Sequence, residues 1–245
     1  MAFADVLLGA FAAMLATSIG ACGVLFFKKI DQRAFSVLLA FSAGIMAFST
    51  VEMIIQAHKT AGDFTVAAGT LAGLLALLIV EKTLPHVHML LRKKIITTAK
   101  KKAALIAGTI SIHNIPEGFA IASAFSGSTP LGWMVTASIA LQDAPEGFLV
   151  SAPLAGYGLD LKRSLKFGIL SGLVEFISAV VGFLFLSAVA SMVPLALAFS
   201  AGAMAYVIVA ELLPDAFNEG FRRTAAIAFF SGAAIAFGLA TQFGF

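Results

Sequence analysis

Apolar runs of roughly twenty residues recur along the whole chain, and they decide what it can fold into before any motif is read. A hydrocarbon core about 30 Å thick is crossed by about 20 helical residues at about 1.5 Å each. The runs lie at approximately 5–27, 34–55, 64–80, 103–126, 131–155, 165–190, 194–213 and 224–243. Residues are 60% hydrophobic and 12% charged, where an ordinary soluble domain carries about 25% charged residues. A water-soluble fold has too little polar surface to cover this material. The expectation is an all-α membrane protein of eight transmembrane helices, a single domain over 1–245, with a loop at 81–102 between spans three and four.

The first run opens MAFADVLL, with an acid and no basic n-region, so it is expected to remain as a span rather than be cleaved as a signal peptide. Cys22 is the only cysteine, which excludes an intramolecular disulfide and leaves a packing role. The net charge of +3 is explained by topology rather than by nucleic acid. Taking loops alternately, every one of the 16 Lys and Arg except Lys59 falls in one set. The positive-inside rule then places that set, including the 81–102 loop, in the cytoplasm and both termini outside. An odd number of spans would destroy this bias.

The sequence also repeats itself. LAFSAGIMA at 39–47 in span two returns as LAFSAGAMA at 197–205 in span seven, differing only at Ile45 and Ala203. With eight spans these two run in opposite directions, the mark of an inverted-topology repeat, and such repeats characterise transporters that alternate access around a midplane site.

A second repeat carries chemistry. Span four reads His113-Asn114-Ile115-Pro116-Glu117-Gly118 and span five reads Gln142-Asp143-Ala144-Pro145-Glu146-Gly147. On a helix, residues i and i+4 share a face, so His113 stacks over Glu117 and Gln142 over Glu146, while Asn114 and Asp143 lie about 100° around. Pro116 and Pro145 deprive the carbonyls of Ile112 and Leu141 of their helical donors. Gly118 and Gly147 permit close approach of backbone or ion.

Energetics make the pair more than two kinks. Glu117, Asp143, Glu146 and Glu175, the lone acid of span six, all fall within apolar spans. Each would cost about 2.5–3.5 kcal/mol near a bilayer centre. No Lys or Arg lies at comparable depth. The compensation has to come from protons, water or metal ions. Imidazole with carboxylates and carboxamides, and no thiolate, suits Zn²⁺, Mn²⁺, Fe²⁺ or Cd²⁺ better than Cu⁺.

HNIPEG, QDAPEG, the single glutamate of span six and AELLPDA in span seven resemble the ZIP (Zrt/Irt-like) divalent metal transporters, in particular their prokaryotic GufA-like branch. The resemblance covers essentially the whole chain. It implies a transporter rather than an enzyme, taking zinc into the cytoplasm through a mid-membrane binuclear site. His113, Glu117, Gln142 and Glu146 would hold the first ion, with Met46 as an additional weak ligand. Asn114, Glu117, Asp143, Glu146 and Glu175 would hold the second. It also implies a homodimer, and a moving unit of helices one, four, five and six against a scaffold of two, three, seven and eight. Where many members place histidines in span five and before the span-seven glutamate, this chain has Gln142, Glu146 and Ala210. A centre with one histidine is harder, which leaves Mn²⁺, Fe²⁺ and Cd²⁺ open beside zinc.

Flanking residues complete the expected route. Glu52, His58 and Asp63 are candidate cation collectors at the outer entrance. Glu211 and Asp215, at i and i+4 near the cytoplasmic end of span seven, and His86 and His88 of the basic loop are candidate exit ligands. The short outer loops fit a multi-pass protein of a prokaryotic inner membrane. Two rival readings stand beside metal uptake. A cation/proton or cation/sodium antiporter with inverted repeats would use the same opposed Pro-Glu motifs. An intramembrane metal hydrolase would need only three firm ligands and one open water, fewer than this set supplies.

Overall fold

The structure, a computed structural model, describes residues 2–27, 30–83, 99–156, 158–217 and 220–245, and for 83 and 99–112 it describes the backbone alone. The described residues form long helices and no strand. They are α1 (Ala2–Cys22), followed by a 3₁₀ turn (Gly23–Leu25), α2 (Gln32–Thr60), α3 (Asp63–Thr83), α4 (Ala99–Gly127), α5 (Thr129–Gly156), α6 (Leu161–Ala188), α7 (Val193–Val207) and α8 (Arg222–Gln242). Beyond Val207, α7 continues through a π-helical turn (Ile208–Leu212) into a last α-helical stretch (Leu213–Ala216).

Local chemistry sets the helix ends. Asp31 caps α2 by accepting a hydrogen bond from the amide of Ala34 at 2.6 Å, and Asp160 caps α6 through the amide of Arg163 at 2.9 Å. An N-cap carboxylate satisfies an amide that the helix leaves without a partner. Gly158 and Gly220, just ahead of α6 and α8, adopt φ of 91° and 100°, a left-handed conformation that costs glycine nothing. Helix ends depart from the apolar stretches that predict them by a few residues. α3 reaches Thr83 and α4 starts by Ala99, so both take residues from the edges of the 81–102 loop. His86 and His88 lie outside the described residues.

Six helices among the described residues are long and apolar enough to cross a membrane: Phe3–Leu25, Gln32–Thr60, Asp63–Lys82, Leu161–Ala188, Ala190–Ala216 and Arg222–Gln242. The protein is a multi-pass, all-α membrane protein. α5 is not one of the six, although its 28 residues are long enough; Gln142, Asp143, Pro145 and Glu146 interrupt its apolar run. Burial is inverted relative to a water-soluble fold. Leu8, Phe11, Leu15 and Ile19 form an exposed stripe on α1, at the three- and four-residue spacing of one helix face, while Ala10, Ala13, Thr17 and Ala21 are buried.

The helices associate as two sets. α1 packs against α5 and α6, and α4 packs against α6 and α5. α2 packs against α8 and α7, and α3 packs against α7. The sets meet where α2 touches α5 and α4 touches α7. Small residues allow these approaches. A Cβ on Gly44 would run into the carbonyl of Phe229, and one on Gly232 would run into that of Phe41. In the second copy, a Cβ on Gly202 would meet the carbonyl of Thr70, and one on Gly73 that of Phe199. The offset that carries Leu39 onto Leu197 carries Phe41 onto Phe199 and Gly44 onto Gly202. The copies of LAFSAG thus make matching contacts, one with α8 and the other with α3.

Candidate metal centre

Three helices converge on the polar motifs. α4 supplies His113, Asn114 and Glu117, α5 supplies Gln142, Asp143 and Glu146, and α6 supplies Glu175. Pro116 and Pro145 lie inside continuous helices, with their missing donors at the level of the acids. The motif glycines bring the neighbouring backbones in. A Cβ on Gly118 would collide with the carbonyl oxygen of Glu175, and one on Gly147 with that of Thr17 on α1.

The acids meet at close quarters. One carboxylate oxygen from each of Glu117, Asp143 and Glu146 can be chosen so that all three lie within 4.8 Å of one another. Glu175 adjoins Asp143, Glu117 and Glu146. The Gln142 amide nitrogen donates to Glu117 Oε1 at 2.6 Å, tying the two motif helices together. Ser42 of α2 donates to the backbone carbonyl of Gln142 at 3.2 Å. Glu117 is 1% exposed and Gln142, Asp143 and Glu175 are 0% exposed.

The acceptors outnumber their donors. Asn114 Oδ1, Glu117 Oε2, Gln142 Oε1, both oxygens of Asp143, Glu146 Oε1 and both oxygens of Glu175 are buried without a hydrogen-bond partner. Each such atom costs on the order of 1–3 kcal/mol, more when charged. Buried carboxylate and carboxamide oxygens without donors are the donor chemistry of a divalent cation.

His113 sits at the rim. Its Nε2 is 2.7 Å from Oε2 of Glu211, and both side chains are about one-seventh exposed, at 14% and 15%. Glu211 therefore adjoins the motif cluster. Glu211 lies in the π-helical turn Ile208–Leu212, and Asp215 lies in the α-helical stretch that follows it. Met46 is buried in the apolar core, one turn along α2 from Ser42 and so on the face that meets α5. Ser178 donates to the carbonyl of Ile115 at 2.7 Å, a tie between α6 and α4.

His58 Nδ1 and Asp63 Oδ1 pair at 3.2 Å across the α2–α3 turn, both well exposed. Glu52 instead accepts from the Gln56 amide at 2.5 Å. Sequence reasoning did not include Thr17, which is buried on α1 beside Asp143. Its signal is the repeat, since the offset that carries Leu39 onto Leu197 carries Thr17 onto Glu175.

Fold and site together define a polytopic helical membrane protein with an acid-rich centre shared by three helices. The family model described as ZIP zinc transporter matches residues 92–240, and the chain belongs to that family, whose members are transporters and not enzymes. It is 34% identical over 222 residues to zinc transporter GufA of Myxococcus xanthus, with 86% of this chain and 87% of that protein covered. Identity to zinc transporter ZupT of Chlorobaculum parvum is 34% over 228 residues, covering 84% and 85%. Identity to zinc transporter ZIPB of Bordetella bronchiseptica is 32% over 256 residues, covering 97% and 81%.

Proposed function

We propose that this protein carries divalent metal ions, zinc first, into the cytoplasm of a prokaryotic cell through a two-ion site between α4, α5 and α6. The observation that carries the reading is the set of eight buried acceptor oxygens on Asn114, Glu117, Gln142, Asp143, Glu146 and Glu175 that lack hydrogen-bond donors. Family membership and relatives named as zinc transporters support zinc as the principal substrate. His113, Glu117, Gln142 and Glu146, with Met46 in reach of the same face, hold one ion. Asn114, Glu117, Asp143, Glu146 and Glu175 hold the other, and the two motif glutamates bridge.

The same reading has eight spans with both termini outside, α4 and α5 included, and the matching contacts of the LAFSAG copies support an inverted repeat. The two packing sets give alternating access a structural basis: α1, α4, α5 and α6 move against α2, α3, α7 and α8, in a homodimer. Glu52, His58 and Asp63 serve the entrance, and Glu211, Asp215, His86 and His88 the exit. A transport site has to release its ion, and one imidazole among oxygen ligands, without a thiolate, grips less tightly than the Cys and His sets of structural zinc. That donor set also admits Mn²⁺, Fe²⁺ and Cd²⁺. Elemental analysis and anomalous scattering of the purified protein after zinc exposure at neutral pH test the reading. Two ions per chain at the motif level are expected, and no ion there would refute it.

A further inference from the structure

We propose that Thr17 of α1 is a further oxygen ligand of the ion held by Asp143 and Glu175, and that it sets how well this position accepts hard cations such as Mn²⁺ beside Zn²⁺. The inference rests on the two-ion reading above and adds a helix that carries neither motif.

The Gly147 backbone of α5 packs on the carbonyl of Thr17 as the Gly118 backbone of α4 packs on the carbonyl of Glu175. One turn further, Gly20 lies against the carbonyl of Ala144, while Ser178 donates to the carbonyl of Ile115. The repeat offset carries Thr17 onto Glu175 and Gly20 onto Ser178, and the motif offset carries Gly118 onto Gly147 and Ile115 onto Ala144. α1 thus stands to α5 as α6 stands to α4. The residue facing the acids from α6 is Glu175, and the one at the matching place on α1 is Thr17.

Thr17 is 1% exposed, and its side chain adjoins the fully buried carboxylate of Asp143. Its hydroxyl lies 3.1 Å from the carbonyl of Ala13, and its oxygen keeps lone pairs for a cation. A buried oxygen offering lone pairs beside a carboxylate is stable when a cation lies between them. Back-bonding to residue i−4 is common for threonine in helices and explains the Ala13 contact. It does not explain why the one hydroxyl facing Asp143 from α1 stands at the repeat position of an acid. A neutral hydroxyl is a hard, weak donor, and its contribution weighs more for Mn²⁺ than for borderline Zn²⁺.

Three variants of the full chain, purified in detergent, test this by titration calorimetry with Zn²⁺, Mn²⁺ and Cd²⁺. Thr17→Val keeps the shape and removes the oxygen, and should weaken Mn²⁺ binding about tenfold, the scale of a lost supporting ligand, with a smaller loss for Zn²⁺. Thr17→Ser keeps the oxygen and should behave as wild type. Thr17→Cys places sulfur at the same point, and should strengthen Cd²⁺ relative to Mn²⁺ and give an ultraviolet cadmium–thiolate band absent from the wild type, whose own Cys22 is the control. Unchanged affinities in Thr17→Val, or equal losses in Thr17→Val and Thr17→Ser, would overturn the assignment. Should Thr17→Val not fold, the cysteine variant decides, and absence of both the band and the cadmium shift would overturn it. Wild type that binds no metal would instead remove the two-ion reading itself.

Discussion

The Gln142 carboxamide donates through Nε2 to Oε1 of Glu117 at 2.6 Å, while its own Oε1 is buried without a partner. One side chain thereby fastens the α4 carboxylate and presents an oxygen to the same space. Gln142→His exchanges that oxygen for an imidazole, a better zinc donor than a carboxamide. It should raise the preference for Zn²⁺ over Mn²⁺ in competition binding. Gln142→Ala should weaken zinc binding about tenfold, the scale of a lost supporting contact. An unaltered zinc-to-manganese ratio in Gln142→His would remove Gln142 from the ligand set.

Gly118 and Gly147 hold the centre together by leaving room for backbone. A methyl group at either position overlaps a neighbouring carbonyl, that of Glu175 or of Thr17. Overpacking of this kind costs about 1–3 kcal/mol, and the gap it opens lies beside the acids. Gly118→Ala and Gly147→Ala should lower the melting temperature in detergent and weaken zinc binding together. Gly156→Ala, with nothing within 4 Å of the added Cβ, should do neither.

Protons and metal compete for the same oxygens. Carboxylates ligate when ionised and imidazole when neutral, so an ion that binds Glu117, Asp143, Glu146 and His113 displaces whatever protons they carry. The sign follows: lowering the pH supplies the competitor, so zinc affinity falls as the pH falls and binding acidifies a weakly buffered solution. Zinc titrations with simultaneous proton counting over about pH 5–8, the range in which histidine titrates, should show both effects. Affinity flat across that range with no protons released would mean that the acids are ionised and hydrated before metal arrives.

The sequence exposes what is local and strongly patterned. The apolar runs mark the helices because hydrocarbon thickness fixes their length, and the Pro-Glu-Gly motifs mark the centre because buried acids have few other uses. Helix ends differ from the runs by a few residues, since the bilayer limits the apolar stretch while capping limits the helix: Asp31 starts α2 ahead of residue 34, and α2 continues past 55 to Thr60. The approach of Glu211 to His113 is not legible, because it joins residues far apart in the chain and IVAEL carries no pattern that marks its π-helical turn. Thr17 is inconspicuous for another reason. A lone threonine in an apolar helix is ordinary, and only the alignment of the two repeats sets it opposite Glu175.

Glu117 and His113, one turn apart on α4, should fail unequally when each is replaced. Glu117 is buried among Asp143, Glu146, Glu175 and Gln142, whereas His113 lies at the rim against Glu211; in the proposed site Glu117 bridges both ions and His113 serves one. Zinc flux into proteoliposomes, read by an entrapped fluorescent zinc reporter, should be saturable for the wild type and fall to the protein-free leak for Glu117→Ala. His113→Ala should retain flux with a higher half-saturating zinc concentration. Equal, mild effects of the two substitutions would contradict the bridged two-ion centre, and flux at the leak rate for the wild type would contradict zinc transport itself.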